Sequence, residues 1–213
     1  MSESLCAKLS SEVLQSNEVL IHTIEDTDTY YANRLRQAMF AEVATLAIDD
    51  VHIFSNTGIL IDEMLVHRLG LIVLSSSETN KETEFELKIK CQEVEITQGY
   101  MNVTADMLNS NNPDVYVVHP QTIITKLRPG EEINLKAFVK KGTGKEHAKW
   151  CPVSCVGYQT EYLENESIRI TMVIESVGGL SAAEILRQAQ TLIDVLRPTL
   201  NCYKLPVKNQ SKN

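Results

Sequence analysis

Three stretches of this chain alternate apolar and polar residues with a period of two. Phe85, Leu87, Ile89 and Cys91 are interleaved with Glu86, Lys88 and Lys90; Ile133, Leu135, Ala137 and Val139 repeat the pattern, and so do Ile168, Ile170, Met172 and Ile174. In a strand, successive side chains point to opposite faces, so each stretch predicts one dry face and one wet face. Strands of that kind belong to antiparallel sheets packed on one side only. The dry faces must be closed by something laid across them.

The sequence offers that cover near both ends. After the cap-forming run Glu25-Asp26-Thr27-Asp28-Thr29, the residues Leu35, Met39 and Val43 recur every four positions, with Ala32 and Leu46 nearby. This is one apolar stripe on a helix. A second helix should open at the capping box Ser181-Ala182-Ala183-Glu184. Its stripe is Ile185, Ala189, Leu192 and Leu196, widened by Leu186 and Ile193, and Pro198 predicts a stop near Arg197. A shorter helix is predicted over Ile61 to Leu69, with Ile61, Leu65 and Leu69 on one face and Gly70 as its stop.

The rest reads as short strands and loops. Strands are expected at Val13 to Ile24, Ile48 to Phe54, Leu71 to Leu74, Val115 to Val118, Ile123 to Leu127 and Ser154 to Leu163. Loops are expected at Ser75 to Thr83, Asn109 to Pro113 and Lys140 to Trp150, with a polar tail from Lys204. The fold class is α+β, with helices towards both ends and a strand-rich middle.

Charge narrows the function. The net charge is −8 and the isoelectric point is about 5.2. Direct binding to nucleic acid draws on Lys and Arg to displace counterions from phosphates. DNA is therefore expected only indirectly, through partners; a free-standing nucleic-acid-binding module is the alternative reading. No apolar run is long enough to span a bilayer, so no membrane is expected. Met1 to Ser10 lacks the apolar core of a secretory signal. Cys6, Cys91, Cys151, Cys155 and Cys202 are odd in number and scattered, which predicts free thiols in a reducing compartment.

No catalytic constellation emerges. Gly142-Thr143-Gly144-Lys145 resembles the tail of a phosphate-binding loop, but Val139 and Glu146 stand where that loop needs Gly and Ser or Thr. His147, Cys151 and Cys155 are spaced four apart, wider than the Cys-x-x-Cys knuckles of structural zinc. His67, beside Arg68, has no nucleophile at a motif spacing, so both are read as packing or interface residues. Arg34 and Arg36 lie about 200° apart around a helix and cannot share one contact. They are either solvated charges or interface anchors, for which Arg is enriched.

Four segments together resemble the alpha-like family of multisubunit RNA polymerase subunits. They are Ala32 to Arg36 with Glu42 to Asp49; Asn56-Thr57 with Asp62-Glu63 and His67 to Ile72; Lys145 to Trp150; and Glu175-Ser176-Val177-Gly178. The likeness is to the third-largest subunit of eukaryotic RNA polymerase II, and more distantly to its archaeal counterpart and the N-terminal domain of bacterial alpha. It covers about Val13 to Leu196.

The resemblance implies a discontinuous dimerisation domain, 1–52 and 166–213, made of a sheet plus two helices, with an inserted β-rich domain at 53–165. It implies a non-catalytic assembly subunit that pairs with a smaller alpha-like polymerase subunit as a heterodimer. The pair would be a platform for the large subunits, with the second-largest subunit and small zinc-binding polymerase subunits as further partners. Asn33, Arg34 and Arg36, with Lys145, His147, Lys149 and Trp150, would face other subunits, joined by His67 and Arg68. The stripes carrying Leu35, Met39, Ile185, Ala189, Leu192 and Leu196 would be covered by the alpha-like partner. The cysteine-rich metal loop of some relatives has no counterpart in Ser75 to Thr83, so no cofactor is carried over. The segment from Tyr158 to Ile168 is short, as would suit a compact or virus-encoded polymerase. The compartment implied is the nucleus for a cellular protein, and the cytoplasm or virion for a viral one.

Overall fold

A computed structural model of the chain describes residues 18–25, 29–76, 83–92, 99–162 and 168–200, without the side chains of 25, 76 and 195–200. All of its strand pairings are antiparallel.

The first core is built from the two ends of the described chain. β1 (Val19–Glu25), β11 (Ile168–Ser176) and β10 (Val153–Tyr162) form a three-stranded sheet with β11 in the middle. Leu20, Ile174 and Val156 stand in register across it, and Ile170, Met172 and Ile174 are fully buried. Against this dry face lie α1 (Thr29–Ala41) and α3 (Ala182–Leu200). Ala32, Leu35, Ala38 and Met39 from α1, and Ile185 and Ala189 from α3, have no exposed surface and join one cluster with the sheet.

This corrects one expectation. Leu35, Met39, Ile185 and Ala189 do not wait for another subunit, because the chain's own sheet covers them. An amphipathic stripe shows that a face will be buried, and does not say by what. Leu192 remains half-buried, and the side chain of Leu196 lies outside the described residues.

The second core takes the middle of the chain. β2 (Ala44–Asn56), β9 (Glu132–Thr143), β4 (Glu84–Lys90) and the two-residue β6 (Asn109–Ser110) form a four-stranded sheet in that order. Two small ribbons flank it, β3 (Leu74–Ser76) with β7 (Val115–Val117), and β5 (Met101–Thr104) with β8 (Ile123–Leu127). The short helix α2 (Asp62–Gly70) adds Leu65 and Leu69 to a cluster with Phe85, Leu87, Leu127, Ile133 and Leu135. The expected boundary at 52/53 falls inside the continuous strand β2. Residues 153–162, expected in the inserted part, pair with β11 in the first sheet.

Several element ends differ from expectation. β9 runs on to Thr143 and a 3-10 turn covers Ala148–Trp150, where a loop was expected. Gly142 does not end the strand, because it pairs with Thr45 beneath the Trp150 ring. β3 starts at Leu74, not Leu71, and takes in Ser75 and Ser76, while Asn109–Ser110 pairs with β4 instead of looping. α1 ends at Ala41, so Val43 is buried from beyond the helix. α3 continues through Pro198 to Leu200; a proline removes one backbone bond and bends a helix without always ending it. Ile61 sits at the N-cap position of α2 and is 61% exposed, not on the buried face. Gly70 closes the helix from within it, and Leu71 caps it in right-handed conformation. The expected starts at Val13 to Asn17, the cap residues 26–28, most of the 75–83 loop, the short segment at 163–167 and the tail lie outside the described residues.

Leu35 touches both helices' shared core, so Leu35→Ala should lower the unfolding free energy by about 2–5 kcal/mol. Urea denaturation checks this; a loss under about 1 kcal/mol would mean that Leu35 is not packed as described.

Candidate partner interface

The segment that links the two cores is held by an unusual density of side-chain contacts around β2. The β2–β9 register slips between Ile48 and Asp50. Asp49 is the extra residue of a β-bulge, which re-aims a side chain away from the pleat. Its carboxylate meets Lys149 Nζ at 2.5 Å and Lys140 Nζ at 3.3 Å. The hydrogen bond from Lys149, more than any other contact, holds the Asp49 carboxyl below the usual carboxylate range. Lys149 also donates to the Ile48 carbonyl at 3.1 Å and lies 4.4 Å over the Trp150 ring.

Trp150 is only 4% exposed. Its indole N–H donates to the Lys140 carbonyl at 3.1 Å, and its own carbonyl accepts from Thr45 Oγ1 at 2.7 Å. The ring lies flat on Gly142, where a Cβ would meet Cε2 at 2.5 Å. Gly144 is tighter still: a Cβ there would stand 2.0 Å from the Phe40 carbonyl oxygen, and the next amide, Lys145, donates to the Ala41 carbonyl at 3.0 Å. The Gly-Thr-Gly-Lys stretch is therefore a seat for the end of α1 and for an indole. No phosphate cradle is needed to explain its glycines.

The residues expected at an interface have mixed fates. Arg34 makes a bidentate pair with Glu42 of its own chain, at 2.8 and 3.0 Å. The hydrogen bond to Glu42 leads the causes that raise the Arg34 pKa. Arg36 donates to Asn33 Oδ1 at 2.9 Å and sits 6.0 Å over Phe40. The two arginines take separate partners, as their angular offset requires. Arg68 donates from Nε and Nη2 to the carbonyls of Ile124 and Ile123, both at 2.6 Å, tying α2 to β8. Lys145, His147 and His67 are exposed. The His147 Nδ1 accepts from the Lys149 amide at 3.0 Å, which caps the 3-10 turn. Trp150 is thus buried within its own chain, while Arg68 stays exposed although two of its donors bind carbonyls of its own chain.

Sequence reasoning missed the Asp49 bulge and the Glu42 partner of Arg34. The consecutive apolar pair Ala47-Ile48, both buried, breaks the period of two and was the available signal for the bulge. It also missed individual exposed apolar side chains: Phe54, Ile59, Met64 and Leu71 are 62%, 70%, 55% and 52% exposed. Among the described residues, no group of three or more His, Cys, Asp or Glu side chains could hold a metal ion, and no helix is long and apolar enough to cross a membrane.

Comparison with known proteins gives these positions a context. Residues 51–153 match the family described as the RNA polymerase Rpb3/RpoA insert domain. The chain is 38% identical over 174 residues to DNA-directed RNA polymerase II subunit rpb3 of Dictyostelium discoideum, covering 70% of this chain and 56% of that one. It is 39% identical over 149 residues to DNA-directed RNA polymerase subunit Rpo3 of Methanopyrus kandleri, covering 64% and 53%. It is 30% identical over 200 residues to the DNA-directed RNA polymerases I and III subunit rpac1 of Dictyostelium discoideum, covering 81% and 56%. The chain spans a little over half the length of these relatives.

Asp49 has a depressed folded-state pKa, so its contribution is complete above the ordinary carboxylate range and is lost as pH falls through the lower, folded value. Asp49→Asn should cost about 1–2 kcal/mol at pH 7. The difference from the parent should vanish in acid. A gap that persists unchanged at low pH in denaturation curves would show that the charge is not responsible.

Proposed function

The chain belongs to the alpha-like family of RNA polymerase subunits, and we propose that it serves a DNA-directed RNA polymerase as a non-catalytic assembly subunit. In this reading it pairs with a smaller alpha-like subunit. The pair then forms the platform on which the large catalytic subunits gather. The similarity to the rpb3, Rpo3 and rpac1 polymerase subunits carries the reading, because it extends over both cores and not the inserted part alone.

The geometry is compatible with this role in a revised form. The inner faces of α1 and α3 are taken by their own sheet, so a partner would meet their outer faces. Away from the sheet Tyr30 is 65% exposed, while Tyr31, Phe40 and Leu192 are half-buried at the margin of the sheet-facing core. A helix layer covered on one side by sheet and on the other by a second helix pair is a stable packing arrangement. The exposed parts of the 145–150 segment, with Asn33 and Arg36, remain the surface for the second-largest subunit and the small zinc-binding subunits. Contact with DNA would come through those partners. The two-part division is proposed with residues 44–152 as the inserted part. The nucleus is the proposed compartment, on the strength of eukaryotic RNA polymerase II relatives.

A tagged full-length chain, purified from its native cells, should bring down a second alpha-like chain in equal amount by mass spectrometry. Leu192→Asp should weaken that pairing by at least about tenfold, roughly 1.4 kcal/mol, while the chain's own thermal unfolding shifts by only a few degrees. A stable lone chain with no polymerase subunit captured would overturn the proposal.

A further inference from the structure

Nothing in the proposed assembly accounts for the segment Glu175-Ser176-Val177-Gly178. Its surroundings do. The two cores are joined by two chain crossings, at 43/44 and 152/153, which Thr45 and Trp150 pin side by side. Beside these crossings the seam is incompletely packed. A cleft of about 140 Å³ lies there, lined among others by Thr45, Val73, Lys149, Pro152, Val177 and Gly179. A smaller one, of about 70 Å³, lies near Leu46, Leu74 and Leu180. Polar contacts cross the seam beyond these clefts.

The turn after β11 lines the cleft as well, through Val177 and Gly179. Ser176 is buried and builds this turn: its hydroxyl accepts from the Gly178 amide at 2.9 Å and donates to the Leu180 carbonyl. The turn then makes several contacts with the other core, one of them from the Val177 amide to the Pro152 carbonyl at 3.0 Å. The Val177 carbonyl lies 3.2 Å from His119 Nε2, and a carbonyl only accepts, so that nitrogen carries the proton. The Gly179 carbonyl accepts from Ser75 Oγ at 3.0 Å. Gly178, at φ +99°, presses on Val118, where a Cβ would stand 2.9 Å from Cγ1. Gly179 is equally close to the Leu74 carbonyl, at 2.9 Å for a Cβ. Both receiving segments belong to one ribbon, since Val118 donates to the Val73 carbonyl at 3.0 Å.

We propose that the Ser176–Leu180 turn is an intramolecular clasp that sets the orientation of the helix-bearing core relative to the inserted one, with Ser176, Gly178, Ser75 and His119 as its positioning residues. The crossings act as the hinge and the turn as the catch. The clasp follows from the contacts alone and stands whether or not the assembly reading does.

Hydrogen exchange on the full chain tests it. Ser75→Ala combined with His119→Ala removes two hydrogen bonds across the seam and touches neither set of fully buried side chains. The amides of Val118 and Gly178 should then exchange about tenfold faster or more, while those of Leu135 and Met172, one deep in each sheet, keep their parent rates. Unchanged exchange at Val118 and Gly178 would overturn the clasp. Should the double variant not fold, the parent chain decides: a clasp requires Val118 and Gly178 to open together, and protection differing by more than about tenfold would refute it.

Discussion

Leu35 of α1 and Ile185 of α3 are 150 positions apart and share one core with the sheet formed by β1, β11 and β10. The rest of the architecture follows from that meeting. A core assembled from both ends of the chain obliges the middle to leave and return at neighbouring points. The middle then needs a core of its own, because its alternating strands cannot share the dry face already taken by the helices. Loop closure over so long an excursion is entropically tolerable, since its cost rises only slowly with length. What must be specified is the place where the chain crosses, and there the polar contacts concentrate.

The crossing explains residues that no catalytic reading could. Asp49 is displaced by a bulge and neutralised by Lys149 and Lys140. Lys149 leans on Trp150, and Trp150 lies on Gly142. Each contact is modest alone. Together they tie α1's end, β2 and β9 to one another, with Lys149 and Trp150 largely buried and Lys140 exposed. No buried side-chain nitrogen or oxygen among the described residues lacks a partner.

The strands and helices were legible in the sequence wherever periodicity was sustained. Phe85 to Cys91, Ile133 to Val139 and Ile168 to Ile174 became strands with the expected buried faces, and Ile185, Ala189 and Ile193 lie on the buried side of α3. The β-strand at Gly142 was not legible, because glycine signals a turn by propensity and only tertiary contact with Trp150 explains it here. The fates of Arg34 and Arg68 were equally hidden. Their chemistry predicts a bidentate or forked contact, but whether the acceptor lies in the same chain is a question of topology. Half of the capping box at Ser181 formed: the Glu184 amide donates to the Ser181 hydroxyl at 3.3 Å. The Glu184 carboxylate pairs with Arg187 and Gln188, and the bond to Arg187 is the chief cause that lowers its pKa to about 2.

The apolar stripes teach the more general point. Periodicity reports that a helix face leaves water, and a helix has more than one face. α1 and α3 spend the inner face on their own sheet, which the pattern of Leu35, Met39, Ile185 and Ala189 records. Beyond that pattern Tyr30 is 65% exposed, while Tyr31, Phe40 and Leu192 are half-buried against the same core. Tyr and Phe are the side chains that protein interfaces favour, because they bring large contact area with few rotatable bonds.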